Sequence, residues 1–208
     1  MTMTKKIKDL TTFLDEIFPN VGCELIYHHD YELVIAVMLS AQTTDKSVNK
    51  VTQVLFSHFP SLDALANASI KDVQEDIHSI GLYKNKANNV IGIAKKLISD
   101  FSYRVPSDKE LLQTLPGVGN KTAGVIRAEI FKIPDLPVDT HILRIAKRLK
   151  LVKENATPLE VEKTLKKLID ESSWIKIHHQ LIHFGRYFCL ARNPHCENCK
   201  LRSYCGKK

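Results

Sequence analysis

Four of the five cysteines in this 208-residue chain lie within its last twenty residues, spaced as Cys189-x6-Cys196-x2-Cys199-x5-Cys205. Thiolates gathered this tightly favour a shared metal centre. Disulfides are the competing interpretation, but the inner pair forms a Cys-x-x-Cys step and no secretory signal is recognisable. The spacing therefore predicts a metal site at Cys189, Cys196, Cys199 and Cys205.

The cysteine spacing leaves the metal open, because four thiolates suit tetrahedral zinc as well as a cubane iron-sulfur cluster. Structural zinc sites tend to have two Cys-x2-Cys knuckles, whereas this chain has one, flanked by arms of six and five residues. One short loop carrying all four ligands favours an iron-sulfur cluster. Histidines that could replace a thiolate are close in sequence, although the first three belong to a segment that reads as helix, residues 177–184: His178, His179, His183 and His195.

A second candidate site is the segment 115–123, Leu-Pro-Gly-Val-Gly-Asn-Lys-Thr-Ala. Its proline and two glycines predict a tight reversal with positive φ angles between two helices. Free N–H groups at the start of the second helix can then hold a phosphate. A nucleotide P-loop is excluded because Asn120, not glycine, precedes Lys121, and a dinucleotide fingerprint is excluded because Thr122 stands where a third glycine is needed.

Charge and composition indicate a partner of opposite sign. The formal charge is +7 with a pI near 9.1, and from Arg186 onward there are six Lys or Arg against one acid. Nucleic acid fits this asymmetry, and a solvated basic surface is the alternative. The longest uncharged apolar run, residues 33–41, is far short of the roughly 20 residues needed to cross a bilayer. We therefore expect an intracellular protein, with no membrane partner.

The elements that must position these sites read as helices. Apolar residues recur at helical spacing from Asp45 and over Lys86–Ser99, and capping boxes begin at Ser107 and Thr157. Leu33–Leu39 could pass for a buried strand, but one apolar run does not make a sheet. We predict an all-α fold in which two prolines at residues 133–137 mark the crossing between two domains.

Asp139, just after this crossing, precedes an apolar helical face and reads as the N-cap of that helix. The face consists of Ile142, Ile145, Ala146 and Leu149.

Three motifs in this order resemble endonuclease III, a family of helix-hairpin-helix DNA glycosylases that excise oxidised pyrimidines: the segment 115–123, Val-Asp-Thr-His at 138–141, and the four-cysteine loop. Segments 39–45 and 80–83 also resemble the family, so the likeness spans nearly the whole chain. It implies a helical barrel domain at 22–132 and a [4Fe-4S] cluster domain formed by 1–21 with 133–208. The active site would lie between them.

By this resemblance Lys121 is the nucleophile and Asp139 the catalytic carboxylate. A neutral amine that attacks the sugar C1′ displaces the base and forms a Schiff base, after which β-elimination cuts the strand on the 3′ side. Asp139 would stabilise positive charge on the sugar or relay protons. Residues matching Gln42 and Leu82 would enter the duplex when the base is extruded.

The expected partner is damaged double-stranded DNA, and we expect a monomer located in the cytoplasm, at the nucleoid in a bacterium. The alternatives are a monofunctional glycosylase of this fold, against which Lys121 argues, and a noncatalytic DNA-binding module, against which Asp139 argues. Gly124 and Arg127 depart from the family pattern and leave lesion preference open. The predicted DNA contacts are Gln42, Leu82, Gly117, Gly119, Lys121, Arg186, Arg192, Lys200 and Arg202.

Overall fold

A computed structural model describes residues 2–206 and has no strand among them. The all-α prediction is confirmed. No helix in the described chain is long and apolar enough to span a membrane. The α-helices are α1 Met3–Ile17, α2 Asp30–Leu39, α3 Asp45–His58, α4 Leu62–Ala66, α5 Ile70–Ile77, α6 Tyr83–Phe101, α7 Lys109–Gln113, α8 Asn120–Phe131, α9 Thr140–Arg148, α10 Pro158–Leu168 and α11 Trp174–His183.

The chain forms two compact units. One is Glu24–Phe131, with α2 to α8, and the other joins Met1–Cys23 to Lys132–Lys208 as far as the structure describes them. Lys121 belongs to the first unit and Asp139 to the second. The division into domains at 22–132 and at 1–21 with 133–208 stays a prediction.

Helix α2 is the buried centre of the first unit. Every residue from Leu33 to Leu39 is buried, so the run that could pass for a strand is a helix covered on all sides. Before it, the carboxylate of Glu32 accepts backbone N–H bonds from His28 at 2.6 Å and from His29 at 3.3 Å. These bonds satisfy donors at the start of the helix and fix where it begins.

The predicted helix starts are confirmed except one. Helix α3 begins at Asp45, and Thr157 forms a capping box with Glu160 before α10. Ser107 does not cap α7, which corrects the prediction: Asp108 does, accepting N–H bonds at 2.9 Å from residues 110 and 111. Aspartate and serine are comparable caps, and here the later of the two is used.

The second unit has its own apolar core, formed by facing sides of α1, α9, α10 and α11. Phe13 of α1 meets Phe184 edge-on at 6.1 Å between ring centroids, just after α11 ends. Its buried residues include Leu10, Phe13, Leu14, Ile142, Ile145, Val161, Leu165, Leu181 and Phe184.

Candidate active site and cysteine centre

The reversal between α7 and α8 is a tight turn. Val118 N–H donates to the Leu115 carbonyl at 3.1 Å, and Gly117 takes a φ of +76°. The positive φ favours glycine, and a Cβ on Gly117 would lie 2.5 Å from Nδ2 of Asn89, which would have to move. The predicted hairpin is confirmed at this position.

Gly119 differs from the prediction, since Gly117 is the only described glycine with positive φ. A Cβ on Gly119 would meet nothing within 4 Å. The chain itself therefore does not require glycine there. What a glycine provides at such a position is close approach by a molecule outside the chain.

Helix α8 starts at Asn120 and carries no acidic residue in its first turn. Its first backbone N–H groups have no acceptor within the helix, and the helix dipole makes this end positive. Lys121 is exposed in that turn. A phosphate at the hairpin would thus be close in sequence to a solvent-accessible amine.

Asp139 caps α9, as predicted. Its Oδ1 accepts the backbone N–H of Ile142 at 2.8 Å, and its carbonyl accepts from Leu143 at 2.9 Å. The cap uses Oδ1, so it does not require the second oxygen, and the residue is only partly buried. Burial lowers the pKa of His141, which lies two residues after Asp139. The positive charges of Arg144 and Arg186 lower this pKa further, whereas the negative charge of Asp139 raises it. That histidine is held towards its neutral form.

Gln42 and Leu82 are both exposed and both held in the left-handed backbone region, with φ of 56° and 60°. That conformation costs a non-glycine residue about 1–3 kcal/mol, which surrounding contacts must offset. Leu82 is 59% exposed despite its size. Both side chains therefore project to solvent from tight turns of the first unit.

The four cysteines of the tail line one cavity, and none forms a disulfide. Short turns at Cys196–Asn198 and Arg202–Tyr204 bring them there, and Cys189 follows a π-helical turn, Phe184–Phe188. Burial raises the pKa of the Cys199 thiol, a backbone hydrogen bond from Leu201 lowers it, and the other three cysteines raise it. His195 lines the same cavity, whereas buried His178 and His179 are on α11.

Two arginines of α9 bind the loop that begins at Cys189, and sequence reasoning missed both. Arg144 Nη2 donates to the carbonyls of Gly185 at 2.8 Å and Cys189 at 3.1 Å. Arg148 Nη1 reaches the Cys189 sulfur at 3.2 Å. Charges four residues apart on an otherwise apolar helical pattern were the available signal.

The basic residues predicted to contact DNA lie in different surroundings. Arg192 is exposed, Arg186 is partly buried, and Arg202 is exposed and lines the cysteine cavity. Lys200 pairs with Glu16 at 2.6 Å. Arg127, one of the departures from the family pattern, donates to the Ser107 carbonyl at 3.0 Å.

Comparison with known proteins agrees with this geometry. Residues 35–171 match the HhH-GPD superfamily of base excision DNA repair proteins, and residues 189–205 match the iron-sulfur binding domain of endonuclease III. Endonuclease III of Bacillus subtilis is 42% identical over 99% of this chain and 94% of its own length. That of Escherichia coli is 38% identical over 100% and 98%.

Solved structures give the same result. A trapped endonuclease III–DNA covalent intermediate superimposes with a TM-score of 0.95 at 41% identity, covering 99% of this chain and 97% of the other. A thermostable thymine-DNA glycosylase, at 21% identity and a TM-score of 0.82, shares the fold.

Proposed function

The chain belongs to the endonuclease III family, and from that premise we propose that it excises oxidised pyrimidines from DNA with Lys121 as nucleophile and Asp139 as catalytic carboxylate. It is a DNA glycosylase and abasic-site lyase of base excision repair. The observation that carries the residue assignment is the exposed amine of Lys121 in the first turn of α8, next to the glycine hairpin.

The amine of Lys121 would act in two steps. Its neutral form attacks C1′, the C1′–N bond breaks, and the base leaves with the electron pair and takes up a proton. The sugar ring then opens to a Schiff base and a proton leaves C2′. The C3′–O bond breaks, and the phosphate leaves with the strand on the 3′ side. Hydrolysis of the imine restores the lysine. The relative in the covalent complex with DNA supports this route.

Asp139 would contribute the negative charge that this chemistry needs. Positive charge develops on the sugar as the base departs, and a fixed carboxylate stabilises it without reorganisation. The cap to Ile142 uses one oxygen and orients the other. Capping and catalysis are therefore compatible in a single side chain.

DNA would be held through its phosphates at the hairpin and opened by two inserted side chains. The N-terminus of α8 and the open space at Gly119 suit a phosphate. Gln42 and Leu82 would occupy the gap left by the extruded base, because both project to solvent from fixed turns. We further propose double-stranded damaged DNA as the substrate, and a monomeric enzyme acting in the cytoplasm.

The iron-sulfur site would hold a [4Fe-4S] cluster. The four cysteines line one cavity and lie on a short loop with a single Cys-x2-Cys step, and residues 189–205 match the iron-sulfur binding domain of endonuclease III. Four thiolates are the usual ligands of such a cluster. The cluster would stabilise the fold of the tail.

Borohydride trapping tests the lysine assignment. Reduction in the presence of abasic-site DNA should give a covalent adduct with the wild type and with Lys71→Ala, an exposed lysine of the same unit, but none with Lys121→Ala. A wild type that forms no adduct but still releases the base would support the monofunctional alternative. DNA binding without base release would support the noncatalytic module.

Metal analysis tests the cluster. We expect a brown protein with iron and acid-labile sulfide in equal amounts, close to four of each per chain. A colourless protein with stoichiometric zinc would contradict the proposal.

Light scattering in dilute buffer should give the mass of one chain, and twice that mass would contradict the monomer.

A further inference from the structure

Lys86, in the first turn of α6, connects the two turns that hold Gln42 and Leu82. Its backbone N–H donates to the Leu82 carbonyl at 3.0 Å. Its ammonium donates to the Ala41 carbonyl at 2.9 Å and to the Thr43 hydroxyl at 2.8 Å, on either side of Gln42. The Lys86 side chain thus ties the turn around Gln42 to the helix that begins next to Leu82.

The burial of Lys86 is costly and has no compensation by charge. The residue is 4% exposed, and no carboxylate of residues 2–206 forms a salt bridge with it. Burial also lowers the pKa of the Lys86 ammonium, because the charged form loses its contact with water. An apolar side chain of similar length would avoid this desolvation penalty. Stability alone does not account for a lysine here.

The same face of α6 supports the hairpin. Asn89 and Gly92 follow Lys86 at intervals of three residues and so lie on one side of the helix. Added Cβ atoms show how closely the hairpin approaches: one on Gly92 would lie 2.9 Å from Pro116, and one on Gly117 would lie 2.5 Å from Asn89. Helix α6 therefore sets the spacing of both turns and the hairpin within this unit.

We propose that Lys86 is a positioning residue, which holds the Gln42 and Leu82 turns at the spacing needed for both side chains to enter the duplex together. The inference rests on the proposed insertion of these two side chains. Loss of the ammonium releases the Ala41–Thr43 turn, while Leu82 stays attached to α6 through the backbone. Extrusion of the base then becomes slower, whereas chemistry on an already accessible sugar is unaffected.

The central test compares Lys86→Met with Lys84→Met, an exposed lysine on the same helix. Single-turnover excision of an oxidised pyrimidine from a duplex should fall by about 10-fold to 100-fold in Lys86→Met, the range expected for misplaced reacting groups. A 2-aminopurine beside the lesion becomes more fluorescent when the neighbouring base is extruded, and this rise should be lost in Lys86→Met. Cleavage of a single-stranded abasic site should remain at the wild-type rate, because no base has to be extruded. Lys84→Met should match the wild type throughout.

Thermal unfolding separates positioning from a structural role. We expect Lys86→Met to unfold at or above the wild-type temperature. Thr43→Val, which removes one acceptor and leaves the lysine in place, should give a smaller loss of duplex excision. A lower unfolding temperature together with equal losses on duplex and single-stranded substrates would overturn the inference.

Gln42→Ala and Leu82→Ala test the proposed insertion separately from the positioning role of Lys86. If both variants excise at the wild-type rate, insertion itself is wrong. If both lose activity while Lys86→Met does not, only the role of Lys86 is wrong. If Lys86 acts through Gln42, the double variant Lys86→Met/Gln42→Ala should lose less than the product of the two single losses.

Discussion

Arg148 donates a hydrogen bond from Nη1 to the sulfur of Cys189 at 3.2 Å, and its guanidinium also binds the carbonyls of Leu190 at 2.6 Å and Ala191 at 2.9 Å. The arginine thus fixes both the Cys189 sulfur and the backbone that follows it. A donor to a ligating sulfur stabilises the thiolate and orients it towards the metal.

We therefore expect Arg148→Met to weaken retention of the cluster. Loss of a residue that hydrogen-bonds a metal ligand lowers metal affinity by about 10-fold to 100-fold. A chelator should therefore remove iron from Arg148→Met at least several times faster than from the wild type. The decay of visible absorbance under a fixed excess of chelator measures this rate. Lys147→Met, the preceding residue on α9, is the matched control and should decay as the wild type does. Equal rates in all three proteins would show that the arginine does not support the ligand.

Replacement of Asp139 separates its cap from its charge. Asparagine is as good an N-cap as aspartate but carries no charge, whereas alanine removes both. Asp139→Asn should unfold at the wild-type temperature and lose about 100-fold or more in base excision. Asp139→Ala should lose activity similarly and also about 1 kcal/mol of stability. Wild-type excision by Asp139→Asn would leave the residue with a capping role alone.

The sequence was sufficient wherever one local rule decided the structure. The capping box at Thr157 and the cap at Asp139 depend on side chains three residues from their acceptors, and both are present. The rule was insufficient at Ser107, where two good caps are adjacent and the helix uses Asp108. Periodicity could not distinguish a helix buried on all sides from a buried strand at residues 33–39.

Long-range contacts account for what the sequence did not reveal. The positive φ angle of Gln42 occurs at a residue that has no local preference for it, and the distant Lys86 ammonium binds the residues on either side, Ala41 and Thr43. The cysteine spacing predicted a shared centre, but not that Arg144 and Arg148 would bind Cys189. These pairs are about forty residues apart in the chain.

The segment before Asp139 is fixed by a buried ion pair. Lys166 contacts Asp135 at 2.5 Å and Glu162 at 2.7 Å, and Asp135 is 2% exposed. Lys166→Met should destabilise the protein by about 3–5 kcal/mol at most, because it removes a cation that contacts the buried carboxylate of Asp135. Chemical denaturation measures the loss, with exposed Lys167→Met as control. Adding Asp135→Asn should restore part of the stability; no recovery would mean that the carboxylate is not the source of the loss.

The same ion pair gives an alkaline limit to stability. Burial opposes the charge of Lys166, but hydrogen bonds to Asp135 and Glu162 outweigh it, so its pKa is raised above 10.5. A raised lysine pKa in the folded state stabilises fully below pH 10.5 and is lost as pH rises through the folded value. The stability difference between wild type and Lys166→Met should therefore be constant near neutrality and shrink above this pH. A stability difference that grows above pH 10.5 would contradict a raised pKa for Lys166.

The two hairpin glycines should respond differently to alanine. At Gly117 the left-handed conformation costs alanine about 1–2 kcal/mol, and the Cβ would lie 2.5 Å from Asn89, so Gly117→Ala should lower the unfolding temperature. Gly119→Ala should unfold within about 0.5 kcal/mol of the wild type, since its Cβ meets nothing.

DNA binding completes the comparison of these glycines. If a phosphate approaches the backbone at Gly119, the added methyl group should weaken binding to an abasic-site duplex several-fold, measured by fluorescence anisotropy at fixed salt. The loss should be similar for undamaged duplex, because a phosphate contact carries no sequence or lesion information. Because the salt slope counts phosphates neutralised by Lys or Arg, loss of a neutral backbone contact should leave the slope of log affinity against log salt unchanged. Unchanged affinity in Gly119→Ala would place the phosphate elsewhere.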